Sequence, residues 1–214
     1  FTAAAYWQLA AAVREPEHGR LHLALAGTAL GLALASKWNA APLALLPGIG
    51  FLFIRLRAGR RRLLLSRRGA PVPGVSLAEA AIWLGALPLA VYAVTYAPAW
   101  FFAEGAIGTP GGSATFLALH SDAIRLQESV VKQHPYMSRW YQWVLNSRSI
   151  WYLYEAVDGA QRGVVLIGNP LTMLLGLPAL LWAASEAILR RNAAAIAVTV
   201  LYAVTLGFWI VSAK

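Results

Sequence analysis

Long apolar runs separated by short polar breaks set the pattern of this chain. A helix that crosses a bilayer needs about 20 mainly apolar residues. Residues 1–13 are apolar but too few, and read as a span cut short at its start. Residues 14–22 are polar and form a loop. The apolar stretch 23–54 is broken only at Ser36-Lys37-Trp38-Asn39 and is too long for one ordinary span. It predicts a helical hairpin with its tip at 37–39. The first arm, 21–36, carries Gly27, Gly31 and several alanines. Such small residues let membrane helices approach closely. Further spans are predicted over 77–97, with a kink at Pro88, over 170–189 and over 193–213.

Charge then gives the runs a direction. Seven of the 18 Lys and Arg fall between Arg55 and Arg68, with no acidic residue among them. A basic cluster between two apolar spans reads as a cytoplasmic connector. Alternation puts Lys37 and residues 98–162 on the outer side, with Tyr92, Tyr96 and Trp100 near an outer interface. Three regions follow: transmembrane helices over 1–97, an external loop over 98–162, and two C-terminal transmembrane helices over 163–214. Composition agrees: 59% of residues are hydrophobic and 13% charged, against roughly 45–50% and about 25% in soluble domains. The net charge of +9 is therefore a matter of topology and not of nucleic-acid binding. The absence of cysteine excludes disulfides and thiolate metal sites, and the four histidines lack metal-site spacing. The fold class is an all-α integral membrane protein, a polytopic helix bundle.

Within the external loop, residues 113–132 place Phe116, Leu119, Ala123, Leu126 and Val130 on one helical face and charged residues on the other. This predicts an amphipathic helix on the membrane surface or against the bundle. His120 and Gln127 interrupt its apolar face and point the same way. They are either partly buried polar groups with local partners or residues facing a substrate groove. Asn169-Pro170 has the signature of a helix start, with a favoured N-cap followed by proline at the first helical position. A helix start is also an anion site, although capping alone accounts for both residues. The cations on the same side are Lys37, Lys132, Arg139 and Arg148. Arg139 sits between Ser138 and Trp140, with His134 and Tyr136 before it and Trp143 after it. Arginine suits bidentate phosphate contacts. The tryptophans suit sugar faces or an interfacial belt.

The run His134-Pro135-Tyr136-Met137-Ser138-Arg139-Trp140-Tyr141-Gln142-Trp143, followed by Arg148-Ser149-Ile150-Trp151-Tyr152, resembles the C-terminal four-helix region of bacterial protein O-mannosyltransferases. Gly168-Asn169-Pro170 is similar to that family's next motif. Gly31-Leu32-Ala33-Leu34-Ala35-Ser36-Lys37-Trp38 resembles an earlier hairpin motif. The chain departs from the family pattern at Val144 and Ser149, where proline is usual, and at Thr172-Met173, where aromatics are frequent.

The resemblance implies a GT-C type glycosyltransferase in the bacterial plasma membrane, with its active face external. It would move mannose from a polyprenyl-phosphate donor to Ser or Thr hydroxyls of exported proteins. Its partners would be the bilayer, the lipid-linked donor and the protein acceptor, with no cofactor or metal implied. The same resemblance implies that the acidic catalytic base lies upstream of residue 1, so that this segment alone would be inactive. Lys37, His134, Tyr136, Ser138, Arg139, Trp140 and Asn169 are the donor-binding candidates, with His120, Gln127, Trp143 and Arg148 behind them. A related transferase acting on lipid A or another envelope glycan is the nearest alternative, and a transporter fragment a more distant one.

Overall fold

The computed structural model describes residues 1–58, 63–101, 107–108, 112–129 and 138–212. They form two compact units, Phe1–Ser129 and Val130–Lys214. Most elements are helical, and four helices are long and apolar enough to cross a membrane: Trp38–Arg57, Leu77–Phe101, Pro170–Leu189 and Ala193–Ser212.

In the first unit the order is α1 (Thr2–Arg14), α2 (Gly19–Ser36), α3 (Ala41–Arg57), α4 (Leu77–Phe101) and α5 (Phe116–Glu128). The centre is α2. Its buried residues, Gly19, Leu23, Ala26, Gly27, Leu30, Gly31 and Ala33, recur at three- and four-residue spacing along one stripe. They join Ala5 and Ala12 of α1, Phe51 of α3 and Ala80 and Leu84 of α4 in one core. The small-residue stripe meets α4. A Cβ on Gly27 would lie 2.0 Å from the carbonyl oxygen of Trp83, and one on Gly31 would lie 2.6 Å from that of Pro88. Hydrogen in place of a side chain is what lets the two backbones touch. Over Ile82–Ala86, just before Pro88, α4 widens to π geometry. Pro88 has no N–H to donate, and a widened turn is one way for a helix to absorb that loss.

One end of α2 gathers the basic segments. Glu79 closes a capping box with Ser76 at the start of α4. Its carboxylate also accepts from Arg20 at 2.9 Å and from Arg67 at 3.2 Å. Arg20 donates to the carbonyl of Gly74 at 2.7 Å as well. The residues joining α1 to α2 and those entering α4 therefore share an end. Arg55 is fully buried there. Its guanidinium donates to the carbonyls of Arg68 and Val75 and lies over the Phe51 ring. The arginine-dense connector is thus partly a folded structural element and not only a solvated run of charge. Lys37 lies at the other end of α2, roughly 27 Å away at 1.5 Å per residue.

The second unit holds α6 (Trp140–Val144), an antiparallel β1 (Ile150–Val157) and β2 (Ala160–Leu166), then α7 (Pro170–Leu189) and α8 (Ala193–Ser212). The strands lie at the end of 98–162 and just beyond it, where the sequence pattern predicts no regular element; the helix predicted over 113–132 is α5 of the first unit. Asp158 and Gly159 form the turn, with φ of 54° and 75°. Two consecutive left-handed residues make the tight hairpin loop whose twist matches that of the strands. Neither α7 nor α8 buries a residue within the chain. Leu181 and Val211 are 72% and 87% exposed, and apolar surface on that scale belongs against lipid.

Candidate functional site at the ends of the helices

In the first unit the candidate residues gather at Lys37. It ends α2 in an extended conformation, and its side chain is exposed. The next residue, Trp38, donates its indole N–H to the Tyr92 hydroxyl of α4 at 2.7 Å. Tyr92 also meets Nε2 of His120 on α5 at 2.6 Å and the Tyr96 hydroxyl at 3.0 Å. Nδ1 of His120 lies 2.6 Å from the carbonyl of Phe116. A carbonyl only accepts, so Nδ1 carries the proton. In the neutral ring, Nε2 then accepts from the Tyr92 hydroxyl. The Tyr92 oxygen in turn accepts from Trp38 and Tyr96. Ring contacts reinforce the chain of bonds, with His120 stacked on Trp38 at 5.2 Å and 8°. Phe116 is edge-on to Tyr96 at 5.2 Å.

Thus α5 docks on α4 and on the tip beside Lys37 through Phe116 and His120, one turn apart. Both ring nitrogens of His120 are engaged, so it orients Trp38 and does not point into an open groove. Gln127 lies on the same face but beyond the docked turn, and is exposed. Leu126 of the predicted apolar stripe is 71% exposed. Among the described residues of that stripe, the part before Leu126 is the part that is covered.

In the second unit Ser138 opens the described segment. Its Oγ accepts the indole N–H of Trp143. The backbone N–H of Arg139 donates to the Gln142 side chain at 2.8 Å, closing the first turn of α6. Trp143 packs edge-on against Trp209 near the end of α8, with centroids 5.0 Å apart. Asn146 follows α6 with φ of 50°, a left-handed conformation that asparagine tolerates. Its amide makes two bonds to Gly168, donating to the carbonyl at 2.8 Å and accepting the N–H at 3.2 Å. Asn169 then caps α7, its Oδ1 accepting from Leu171 at 3.0 Å and Thr172 at 3.3 Å.

These bonds bring Ser138, Arg139, Trp140, Trp143 and the start of α7 to one end of the second unit. The side chain of Asn169 is occupied in capping. The Arg139 guanidinium is exposed and makes no ion pair among the described residues. Arg148 is exposed in the turn before β1. His134, Tyr136 and Lys132 lie outside the described residues.

The residue that sequence reasoning passed over is Asn146. The available signal was an asparagine directly after a short aromatic helix, a common place for a left-handed terminator. Asn146→Ala removes both bonds to Gly168 and puts alanine in the left-handed region. The second unit is expected to lose about 2 kcal/mol. Hydrogen exchange checks this directly: the Gly168 amide should exchange faster while amides in the middle of α7 do not change.

Residues 113–196 match the family model described as the C-terminal four TMM region of protein-O-mannosyltransferase. A polyprenol-phosphate-mannose–protein mannosyltransferase of Mycobacterium tuberculosis (strain ATCC 25618 / H37Rv) is 30% identical over 194 residues, covering 78% of this chain and 37% of that protein. A protein of the same name from Mycolicibacterium smegmatis (strain ATCC 700084 / mc(2)155) is 29% identical with the same coverage. The chain thus spans little more than a third of the length of these relatives. No solved structure matches it. These matches show that the chain belongs to the protein O-mannosyltransferase family.

Proposed function

We propose that the chain forms part of a membrane mannosyltransferase that takes mannose from a polyprenyl-phosphate donor and delivers it to Ser or Thr hydroxyls of exported proteins. The observation that carries this reading is the sequence likeness to the two mycobacterial enzymes, whose names specify that donor and a protein acceptor. The geometry supports it in physical terms. Transfer leaves a polyprenyl phosphate, whose developing charge needs fixed cations or helix N–H groups. Arg139 supplies an exposed guanidinium at the start of α6. The far end of α6 is tied by Asn146 to the residue before the α7 cap. Lys37 supplies a second cation, at the tip held by Trp38, Tyr92 and His120. In this reading Arg139 of the second unit is a phosphate contact, with Trp140 for the sugar and with Ser138, Trp143 and Asn169 keeping them in place; Lys37 of the first unit is separately a candidate phosphate contact, with His120 behind Trp38. Arg148 is a further cation for the lipid headgroup region. The site faces the outside of the plasma membrane, and the arginine-dense connector faces the cytoplasm.

The test is mannose transfer from polyprenyl-phosphate mannose in membranes carrying the protein. A Ser/Thr-rich peptide should be labelled and lipid A should not. Labelling of lipid A alone would move the protein to the envelope-glycan transferases. Lys37→Ala should weaken donor use by roughly 10-fold, the loss of about 1.5 kcal/mol expected for one hydrogen bond to a charged group. Donor titration against initial rate measures it.

A further inference from the structure

The β1–β2 hairpin has an unusual distribution of polarity. An ordinary half-buried ribbon is apolar on one face and polar on the other, because successive side chains alternate. Here polarity changes along the ribbon. Next to the tight turn stand Glu155, Asp158, Gln161 and Arg162, with Arg162 3.5 Å from Asp158. At the opposite end both faces are apolar. Leu153 pairs with Val164, and the next residue, Tyr154, looks to the other face opposite Gly163. The bare Gly163 leaves room for the Trp151 ring, which also packs edge-on against Tyr154 at 5.3 Å. Even so, Tyr152, Tyr154 and Val164 remain 68%, 54% and 56% exposed. Among the described residues of the second unit, these three side chains are left largely uncovered on both faces of this half.

The chain's continuity indicates what covers them. The apolar half is the half joined to α7: β2 ends at Leu166, and α7, which is long and apolar enough to span, starts at Pro170. Asn146 fixes Gly168 between them. The apolar half therefore sits where a spanning helix leaves the bilayer, and the charged turn points away from it. Its aromatic residues are those that prefer this depth. Among the described residues no third strand joins the ribbon, so its two outer edges carry N–H and C=O groups that strand pairing leaves over. Those groups can be met by water and headgroups but not by hydrocarbon. That limits the depth to the headgroup layer, only about 5–8 Å thick on each side. An apolar half of roughly 15 Å, at 3.3 Å per residue, must then lie steeply inclined in it.

We propose that the hairpin is an interfacial anchor: its Trp151–Tyr154 and Val164–Leu166 half is seated, on both faces, in the phospholipid headgroup layer. It thereby fixes the start of α7 and the Arg139 segment at headgroup depth, the level at which the phosphate of a lipid-linked molecule sits.

These 214 residues hold no cysteine, so they add no background to single spin labels, and any cysteine elsewhere in the whole protein is first replaced by serine. The whole protein is reconstituted in phosphatidylethanolamine/phosphatidylglycerol vesicles. Labels are attached at Leu153→Cys and Tyr154→Cys on opposite faces, at Val164→Cys on the partner strand, and at Gln161→Cys near the turn. Collision with oxygen, which concentrates in lipid, is compared with collision with a water-soluble nickel chelate. The oxygen-to-nickel ratio should be severalfold higher at 153, 154 and 164 than at 161. Equal ratios at all four positions would overturn the proposal by placing the hairpin in water. A high ratio on one face only would overturn it by laying the ribbon flat. Low collision with both reagents at 153, 154 and 164 would overturn it by showing a protein covering. Agreement among three sites on two strands guards against one variant that fails to fold.

Discussion

Gly27→Ala is expected to destabilise the protein in detergent by about 3 kcal/mol, whereas Gly48→Ala should be neutral or slightly stabilising. Both replace a helical glycine with the best helix former, so intrinsic propensity favours both changes. The difference lies in what the added methyl meets. At Gly27 it would stand 2.0 Å from the Trp83 carbonyl oxygen and 3.2 Å from a Leu87 methyl. A backbone carbonyl cannot rotate aside as a side chain can, so α2 and α4 must separate. The separation loosens Leu23, Leu30 and Leu84, which are packed in the same core. At Gly48 a Cβ meets nothing within 4 Å, and the gain of up to about 1 kcal/mol from lower unfolded-state entropy goes unopposed. Gly31→Ala should follow Gly27, since its Cβ would lie 2.6 Å from the Pro88 carbonyl. Thermal unfolding of the purified variants, read by loss of helical dichroism, ranks the three. Similar melting of the Gly27 and Gly48 variants would mean that α2 and α4 do not touch as described.

This stripe was legible in the sequence because small residues four apart have few other uses in a membrane helix. The spans were legible for the same kind of reason, since the bilayer imposes one length and one composition on every crossing. The cap at Asn169 was legible because its signature is local. The hairpin was not, although Asp158-Gly159 is a strong turn signal by itself. Its apolar and polar residues separate along the ribbon and not across it, so Trp151-Tyr152-Leu153-Tyr154 shows no two-residue alternation. An environment layered parallel to the bilayer erases the pattern by which strands are usually found.

The contacts around Lys37 were hidden for a different reason. Trp38 and Tyr92 are 54 residues apart, and Tyr92 and His120 are 28 apart. No helical or strand period relates such positions. His120 was visible only as a polar break in an apolar stripe, and its purpose becomes clear once Tyr92 is beside it. Arg55 shows the converse. Within a cluster of arginines it looked like its neighbours, yet among the described residues it is the one charged side chain that is fully buried.

Arg139→Ala is expected to lower kcat/KM for the polyprenyl-phosphate donor by roughly 10- to 100-fold, as the loss of a charge-assisted contact of about 1.5–3 kcal/mol would. Stability should barely change, because the side chain is exposed and the turn it begins is closed by its backbone N–H to Gln142. Such surface replacements usually stay within about 0.5 kcal/mol. The two measurements together separate phosphate binding from folding. Arg139→Lys adds a geometric test, because lysine keeps the charge but loses the planar fork that grips two phosphate oxygens. A bidentate contact predicts that lysine rescues only part of the loss. A purely electrostatic role predicts nearly full rescue and a strong dependence on ionic strength. Unchanged donor use in the alanine variant would remove Arg139 from the phosphate site and leave Lys37 and Arg148 as the cations to examine. Asn146→Ala then distinguishes direct from indirect action. It leaves the guanidinium intact but frees α6 from Gly168, so it should raise the donor KM without making turnover sensitive to salt.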